Sequence, residues 1–192
     1  MILVKSMDIL YGGAFNPPTI AHYQIIKFIT QKFANCKLII LPANNSYKQT
    51  NTVDVFHRVK MLELLIKDLP GDINISDYEL KLDKFLGTYY TLKHFNHPYF
   101  VIGADQLASI ETWIKYPDII IENKFIVFPR NNIDISAIIA NNKILNQNKN
   151  HFIFIDFEEI NISSSMFREK HDNRLINQEI YEYIKENKLY EV

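Results

Sequence analysis

Y-G-G-A-F-N-P-P-T-I-A-H, residues Tyr11 to His22, is the stretch that decides how this chain folds. Just before it, Met7-Asp8-Ile9-Leu10-Tyr11 is short and mostly apolar, the pattern of a parallel strand covered on both faces. Gly12 and Gly13 stop that strand and let a ligand approach the main chain, while Pro17 and Pro18 stiffen the exit. Beyond them Ile26, Ile29 and Phe33, supported by Ile25 and Phe28, keep helical spacing, with Thr19 at the N-cap position. A strand, a glycine turn and a helix in succession aim main-chain N–H groups and the positive end of a helix dipole at one point, which favours a bound phosphate. Thr19 and His22, three apart on the first turn, share a face, so a hydroxyl and an imidazole can bond the same group.

Read outward, the same alternation continues. Lys37 to Pro42 is a second buried strand ended by its proline, and after a polar loop from Ala43 to Thr52, Asp54 caps a helix with Phe56, Val59, Leu62, Ile66 and Leu69 on one face. Asp72 to Asp77 is a short strand, Thr88 to Phe95 a brief helix, and Tyr99-Phe100-Val101-Ile102 a strand running into Gly103-Ala104-Asp105. An acid at a strand's carboxyl end is well placed for a ribose hydroxyl. A strand from Lys124 to Pro129, a helix from Ser136 to Leu145 and a last strand from His151 to Ile155 follow. Asn161-Ile162-Ser163-Ser164-Ser165-Met166-Phe167-Arg168 then opens a helix, with Arg168 one turn along carrying a fork suited to phosphate oxygens, and Ile176, Ile180 and Ile184 mark a final amphipathic helix. Strands separated by helices predict an α/β fold around a parallel sheet.

Composition narrows the class. The 192 residues suit one domain, with 163–192 as a carboxyl-terminal helical subregion. A net charge of -1 argues against a general nucleic-acid surface, and no apolar run is long enough to span a bilayer, so neither a nucleic acid nor a membrane is expected as a partner. The single Cys36 excludes an internal disulfide and a cysteine-rich metal site, and together with the lack of a charged-apolar leader it makes the cytoplasm the expected compartment.

In this order, the segments resemble the nucleotidyltransferases with a T/H-x-G-H signature and, within them, the nicotinate-nucleotide adenylyltransferases, over almost the whole chain. Gly12 to His22 resembles the first motif of that family, and Ile162 to Arg168 its I-S-S-T-x-I-R motif. Leu41-Pro42 through Lys48, then His57-Arg58 with Met61-Leu62-Glu63, resemble its substrate loop and following helix, and Thr88 with Thr91-Leu92 its S-Y-T-x-x-T-L segment. Ile102-Gly103-Ala104-Asp105-Gln106-Leu107, with Trp113 eight residues after the acid, points to pyridine nucleotides. The chain departs from the family at Ala21, where Gly is usual, at Thr19, commonly His in bacterial enzymes, and at Asp172 to Asn177, where an arginine-containing stretch is altered.

The resemblance implies a Rossmann-like sheet with helices on both faces, and a reaction in which the phosphate of a pyridine mononucleotide attacks the α-phosphorus of ATP. It implies that His22, Thr19 and Arg168 are catalytic and that Gly12, Gly13, Ala14, Phe15, Gly103, Asp105, Ile162, Ser163 and Ser164 also line ATP. Asn16, Lys48, Thr88 and Trp113 are implied for the mononucleotide, with Lys48 on its phosphate and Trp113 stacked on the pyridine ring. Magnesium is expected to arrive with ATP, bridging oxygens without a dedicated protein cage. Asn16-Pro17 and Tyr47-Lys48 also resemble the eukaryotic nicotinamide-nucleotide enzymes, so acid and amide substrates both stay open, as does homo-oligomer formation. A sibling transferase acting on phosphopantetheine and a nucleotide sensor without turnover are the rival readings. An aminoacyl-tRNA synthetase is discounted because the chain is short and lacks a basic surface.

Overall fold

The computed structural model describes residues 7–44 and 52–192. In chain order the elements are β1 (Asp8–Gly13), α1 (Ile20–Lys32), β2 (Lys37–Pro42), α2 (Val55–Ile66), β3 (Asp72–Ile75), α3 (Thr88–His94), β4 (Tyr99–Gly103) and α4 (Ala104–Ala108). After them come α5 (Asp118–Glu122), β5 (Lys124–Phe128), α6 (Ile135–Asn141), α7 (Lys143–Gln147), β6 (Phe152–Phe154), α8 (Ser164–Lys170) and α9 (Gln178–Glu186). The strands form one sheet in the order β3-β2-β1-β4-β5-β6, and the pairs β1–β4, β2–β3, β4–β5 and β5–β6 run parallel. This is the expected α/β, Rossmann-like fold. The strand order reverses between β1 and β4, the kind of switch point beyond whose strand ends ligands bind in open sheets.

The chain forms two compact units. The first comprises the described residues of Gly12–Phe85 together with Ile162–Val192. Its core holds Ile26 and Ile29 of α1, Leu38 and Ile40 of β2, and Met61 and Leu62 of α2, all fully buried. Ile180 and Ile184, four apart on α9, are also at 0% exposure, and burying each stabilises by roughly 1.5–3 kcal/mol. Polar bonds join α9 to α2, with Tyr183 Oη 2.8 Å from His57 Nδ1 and Lys67 paired to Glu179.

The second unit, Met7–Tyr11 with Leu86–Asn161, packs aromatic rings between neighbouring strands. Phe125 and Phe152, register partners on β5 and β6, stack with centroids 5.3 Å apart. Buried Asn123 is satisfied by His97, 2.8 Å from its Oδ1, and by donating to Ile119 O at 2.9 Å. Among the described residues no helix is long and apolar enough to cross a membrane.

Three local expectations need correction. The buried face of α2 is Arg58, Met61, Leu62 and Leu65, whereas Phe56 is 60% exposed. A cation's hydrogen bonds outrank a phenylalanine's apolar area there. The helix expected from Ser136 to Leu145 is two helices. Asn142 breaks it by capping α7, accepting from Leu145 N at 2.9 Å while also meeting Tyr116 Oη and donating to Glu111. His151 falls outside the last strand, in a 3-10 turn with its Nδ1 2.9 Å from Ile120 O.

Candidate active site

In the first unit, the glycine turn is shaped from below. Phe15 is held at φ 47 and is 1% exposed, its ring packed so that a Cβ on Gly13 would meet it at 3.2 Å. That contact, rather than an unusual φ, is what keeps residue 13 bare. The edge of the same ring meets His22, with centroids 5.1 Å apart. Thr19, fully buried, caps α1, and its main-chain N–H donates to His22 Nδ1 at 2.9 Å, with its Oγ1 2.8 Å from the same nitrogen. A main-chain N–H can only donate, so Nδ1 is an acceptor and the neutral ring carries its proton on Nε2. The turn thereby fixes both the tautomer and the direction of its imidazole.

The serine motif reaches the same turn. Ser163 caps α8 by accepting from Met166 N at 3.2 Å, and Ser164 Oγ donates to Pro17 O at 2.8 Å across 147 residues of sequence. Arg168 Nη1 donates to Asn16 O at 2.6 Å, and its Nη2 donates to Ser165 Oγ at 3.1 Å. Asn16, followed by a cis peptide to Pro17, is fully buried. Thus Thr19, His22, Asn16, Ser164 and Arg168 are brought together on one turn. Arg168 also lines a cavity of about 370 Å³ with Thr52, Val53, His171, Tyr190 and Glu191. Lys48 lies outside the described residues.

Behind the turn stands Arg58, which the sequence places in a family-like segment but to which it gives no role. It is 1% exposed and donates to Ala14 O and Ala43 O, each at 2.8 Å, and to Val53 O at 3.3 Å. Burial pulls its pKa below the ordinary arginine value, opposed by Tyr190 and Asp54. Its signal in the sequence was a cation three and four residues before the buried Met61 and Leu62, on the apolar face. Ala21 is buried on the first turn of α1. The altered arginine stretch forms a 3-10 turn, Asn173–Leu175, in which Arg174 is gripped by Asp172 through Nε at 2.9 Å and Nη2 at 2.7 Å, holding that carboxyl down to about 2.

In the second unit, Gly103 ends β4 and Asp105 opens α4. A Cβ at 103 would run into Asp105 Oδ1, so the glycine makes room for the carboxylate. Asp105 Oδ2 pairs with Arg130 Nε at 3.3 Å, while Oδ1 is buried with no hydrogen-bond partner among the described residues. Arg130, just past β5, is a residue that the sequence reading passed over. Gly87, at φ 109, caps α3 and so sets Thr88 at the helix start, and a Cβ on Gly87 would lie 2.9 Å from Ile114, next to Trp113. Trp113 is half-buried, its ring set edge-on to Phe100 at 6.3 Å between centroids. The two expected mononucleotide residues of this unit, Thr88 and Trp113, are therefore on neighbouring segments.

Residues 10–170 match the cytidylyltransferase-like family. Over 96% of its length the chain is 37% identical to a protein of Acholeplasma laidlawii named "Probable nicotinate-nucleotide adenylyltransferase", 98% of which is covered. The chain belongs to the nicotinate-nucleotide adenylyltransferase family. A Clostridium acetobutylicum protein of the same name is 32% identical, with 94% of this chain and 97% of that protein covered. The fold is that of the Plasmodium falciparum nicotinic acid mononucleotide adenylyltransferase complexed with NaAD, at a TM-score of 0.79 and 22% identity, covering 97% of this chain and 98% of that one.

Proposed function

We propose that this chain transfers the adenylyl group of ATP to nicotinate mononucleotide, forming deamido-NAD and pyrophosphate in NAD biosynthesis. The observation that carries the reading is the meeting of the first and last motifs on one turn, with Ser164 and Arg168 bonded to the carbonyls of Pro17 and Asn16. The relatives' shared name supports it.

In this reaction a phosphate oxygen of the mononucleotide attacks the α-phosphorus of ATP, and the bond from that phosphorus to the α–β bridging oxygen breaks as pyrophosphate departs. The nucleophile is already an anion, so the protein needs no general base; it must align two anions and offset charge growing on the bridging and leaving oxygens. His22, its Nδ1 held by Thr19, is suited to donate from Nε2 to a phosphate oxygen. Gly12 to Phe15 cradle the triphosphate with main-chain N–H groups, and Arg168, Ser163 and Ser164 take the β and γ phosphates.

Among the described residues no three His, Cys, Asp or Glu side chains gather as a metal site, and the donors at the turn are hydroxyls, an imidazole and N–H groups. That set fits phosphate oxygens. Magnesium is read as arriving with the nucleotide, where it would neutralise charge on the phosphates. The same reading sets the chain in the cytoplasm.

Asp105 is assigned to the adenosine ribose, since a ribose hydroxyl would supply the proton that its buried Oδ1 lacks. Gly103→Ala is expected to displace the flexible end of Asp105 and to press on Arg130 Cδ at 3.2 Å, leaving the melting temperature nearly unchanged while raising the KM for ATP about tenfold, as for one lost hydrogen bond to a charged group. An unchanged KM would remove Asp105 from the ATP site. Trp113 is assigned to the pyridine ring, Thr88 and Asn16 to the rest of the mononucleotide, and Lys48 to its phosphate. For Trp113→Ala the expected result is weaker mononucleotide binding with kcat largely kept. A lower melting temperature with unchanged substrate affinity would show that its contact with Phe100 is its whole purpose.

Comparing kcat/KM for nicotinate and nicotinamide mononucleotides, with ATP and magnesium and pyrophosphate release as readout, tests activity and substrate together. Preference for the acid is expected. Preference for the amide would move the assignment to the nicotinamide enzymes, and tight ATP binding without pyrophosphate from either would favour a sensor.

A further inference from the structure

Tyr190, in the turn after α9, sits 174 residues from Asn16, yet its hydroxyl donates to Asn16 Oδ1 at 2.7 Å. Val53 N–H donates to the same oxygen at 3.3 Å. The fully buried Asn16 is thus pinned through its side chain, and its main-chain carbonyl is the acceptor for Arg168 Nη1 at 2.6 Å. The Tyr190 ring also stands edge-on to Phe167, the residue before Arg168, with centroids 5.9 Å apart. One side chain therefore touches the residue that receives the Arg168 guanidinium and the residue that precedes Arg168 on its helix.

The backbone is bent to make this possible. Lys188, Tyr190 and Glu191 all have left-handed φ, 50, 57 and 59, a conformation that non-glycine residues keep only where their surroundings hold it. Burial pushes the Tyr190 phenol far above its ordinary value, against the opposing pull of Arg168 and Arg58, so the group stays a neutral O–H donor throughout the working pH range. The bonds to Asn16 O and Ser165 Oγ use two of the five guanidinium N–H groups and fix the plane of the fork.

We propose that Tyr190 is a positioning residue for adenylyl transfer: through Asn16 and Phe167 it sets the orientation in which Arg168 meets the phosphates of ATP. The proposal rests on the reading of Arg168 as a phosphate ligand. It makes the turn after α9 part of the nucleotide site's support, a role that helix packing alone would not give it.

Tyr190→Phe removes the hydroxyl and keeps the ring on Phe167. The test measures ATP affinity by calorimetry and kcat and KM by pyrophosphate release for the wild type, Tyr190→Phe, Arg168→Ala and the double variant. Tyr190→Phe is expected to weaken ATP binding about tenfold, the scale of one hydrogen bond, and by clearly more than it raises the mononucleotide KM, with the protein folded by circular dichroism. In the Arg168→Ala background the same change is expected to have almost no further effect, because interacting residues are not additive. Additive losses, equal weakening of both substrates, or a lower melting temperature with unchanged ATP affinity would each overturn the proposal. If Arg168→Ala itself leaves ATP binding and turnover untouched, it is the phosphate-ligand reading that fails, and the positioning role falls with it.

Discussion

Replacing His22 with alanine is expected to leave the protein folded and to cost on the order of 100-fold or more in turnover, the scale seen when one preorganised donor is removed. The fold should survive because alanine is a good helix former and His22 is only half-buried on the first turn of α1. What is lost is a donor whose direction was set in advance: Thr19 N–H holds Nδ1 at 2.9 Å, and the Phe15 ring flanks the imidazole. No reorganisation is then needed as charge develops, and that is where such a donor acts most. His22→Gln, which keeps an N–H donor on a side chain of similar reach, is expected to retain more activity than His22→Ala. Steady-state pyrophosphate release on both variants, with circular dichroism as the control for folding, decides the matter. Near-wild-type turnover for the alanine variant would sink the catalytic assignment.

Arg58→Met should produce the largest change in stability, a loss of about 3 kcal/mol of the kind found when a buried hydrogen-bond network is broken. Methionine fills a similar volume but donates nothing to Ala14 O, Ala43 O and Val53 O, and a buried carbonyl such as that of Ala43 costs about 1–3 kcal/mol when left unpaired. Arg58→Lys should recover only part, since an ammonium lacks the planar fork that spans separate acceptors. Equilibrium unfolding in urea measures both. A loss under about 1 kcal/mol for the methionine variant, the usual size for a substitution without such a mechanism, would show that the guanidinium is expendable. Because Ala14 belongs to the glycine turn, whatever activity survives should show a raised KM for ATP.

Much of the architecture was legible from local chemistry. Thr19 and Asp54 each cap the helix that the sequence assigned to it, the serine stretch opens α8, and β1, β2, β4 and β5 fall within a residue or two of the apolar runs that marked them. Those signals are short-ranged: a cap needs only its own first turn, and a buried parallel strand needs only a run of apolar side chains. The errors arose where a distant partner overruled the local pattern. Asn142 ends a helix that periodicity would have continued, because Tyr116 and Glu111 meet its side chain from 26 and 31 residues away. Phe56 faces outward because the side of α2 that points inward is the one from which Arg58 reaches three carbonyls.

The candidate site divides along the same line. Sequence by itself determined the alternating strands and helices, the glycine turn from Gly12 to His22, and the residue types able to bind phosphate at its two motifs. These follow from backbone preference, helix capping and spacing within a few residues. Only the tertiary structure decided that Ser164 and Arg168 bond the carbonyls of that turn, that the neutral His22 ring carries its proton on Nε2, and that Arg58 and Tyr190 stand behind Ala14 and Asn16. The physical reason is that a hydrogen bond is decided by distance and direction in space. Two groups 147 or 174 residues apart leave no periodic trace of their meeting in the order of the residues.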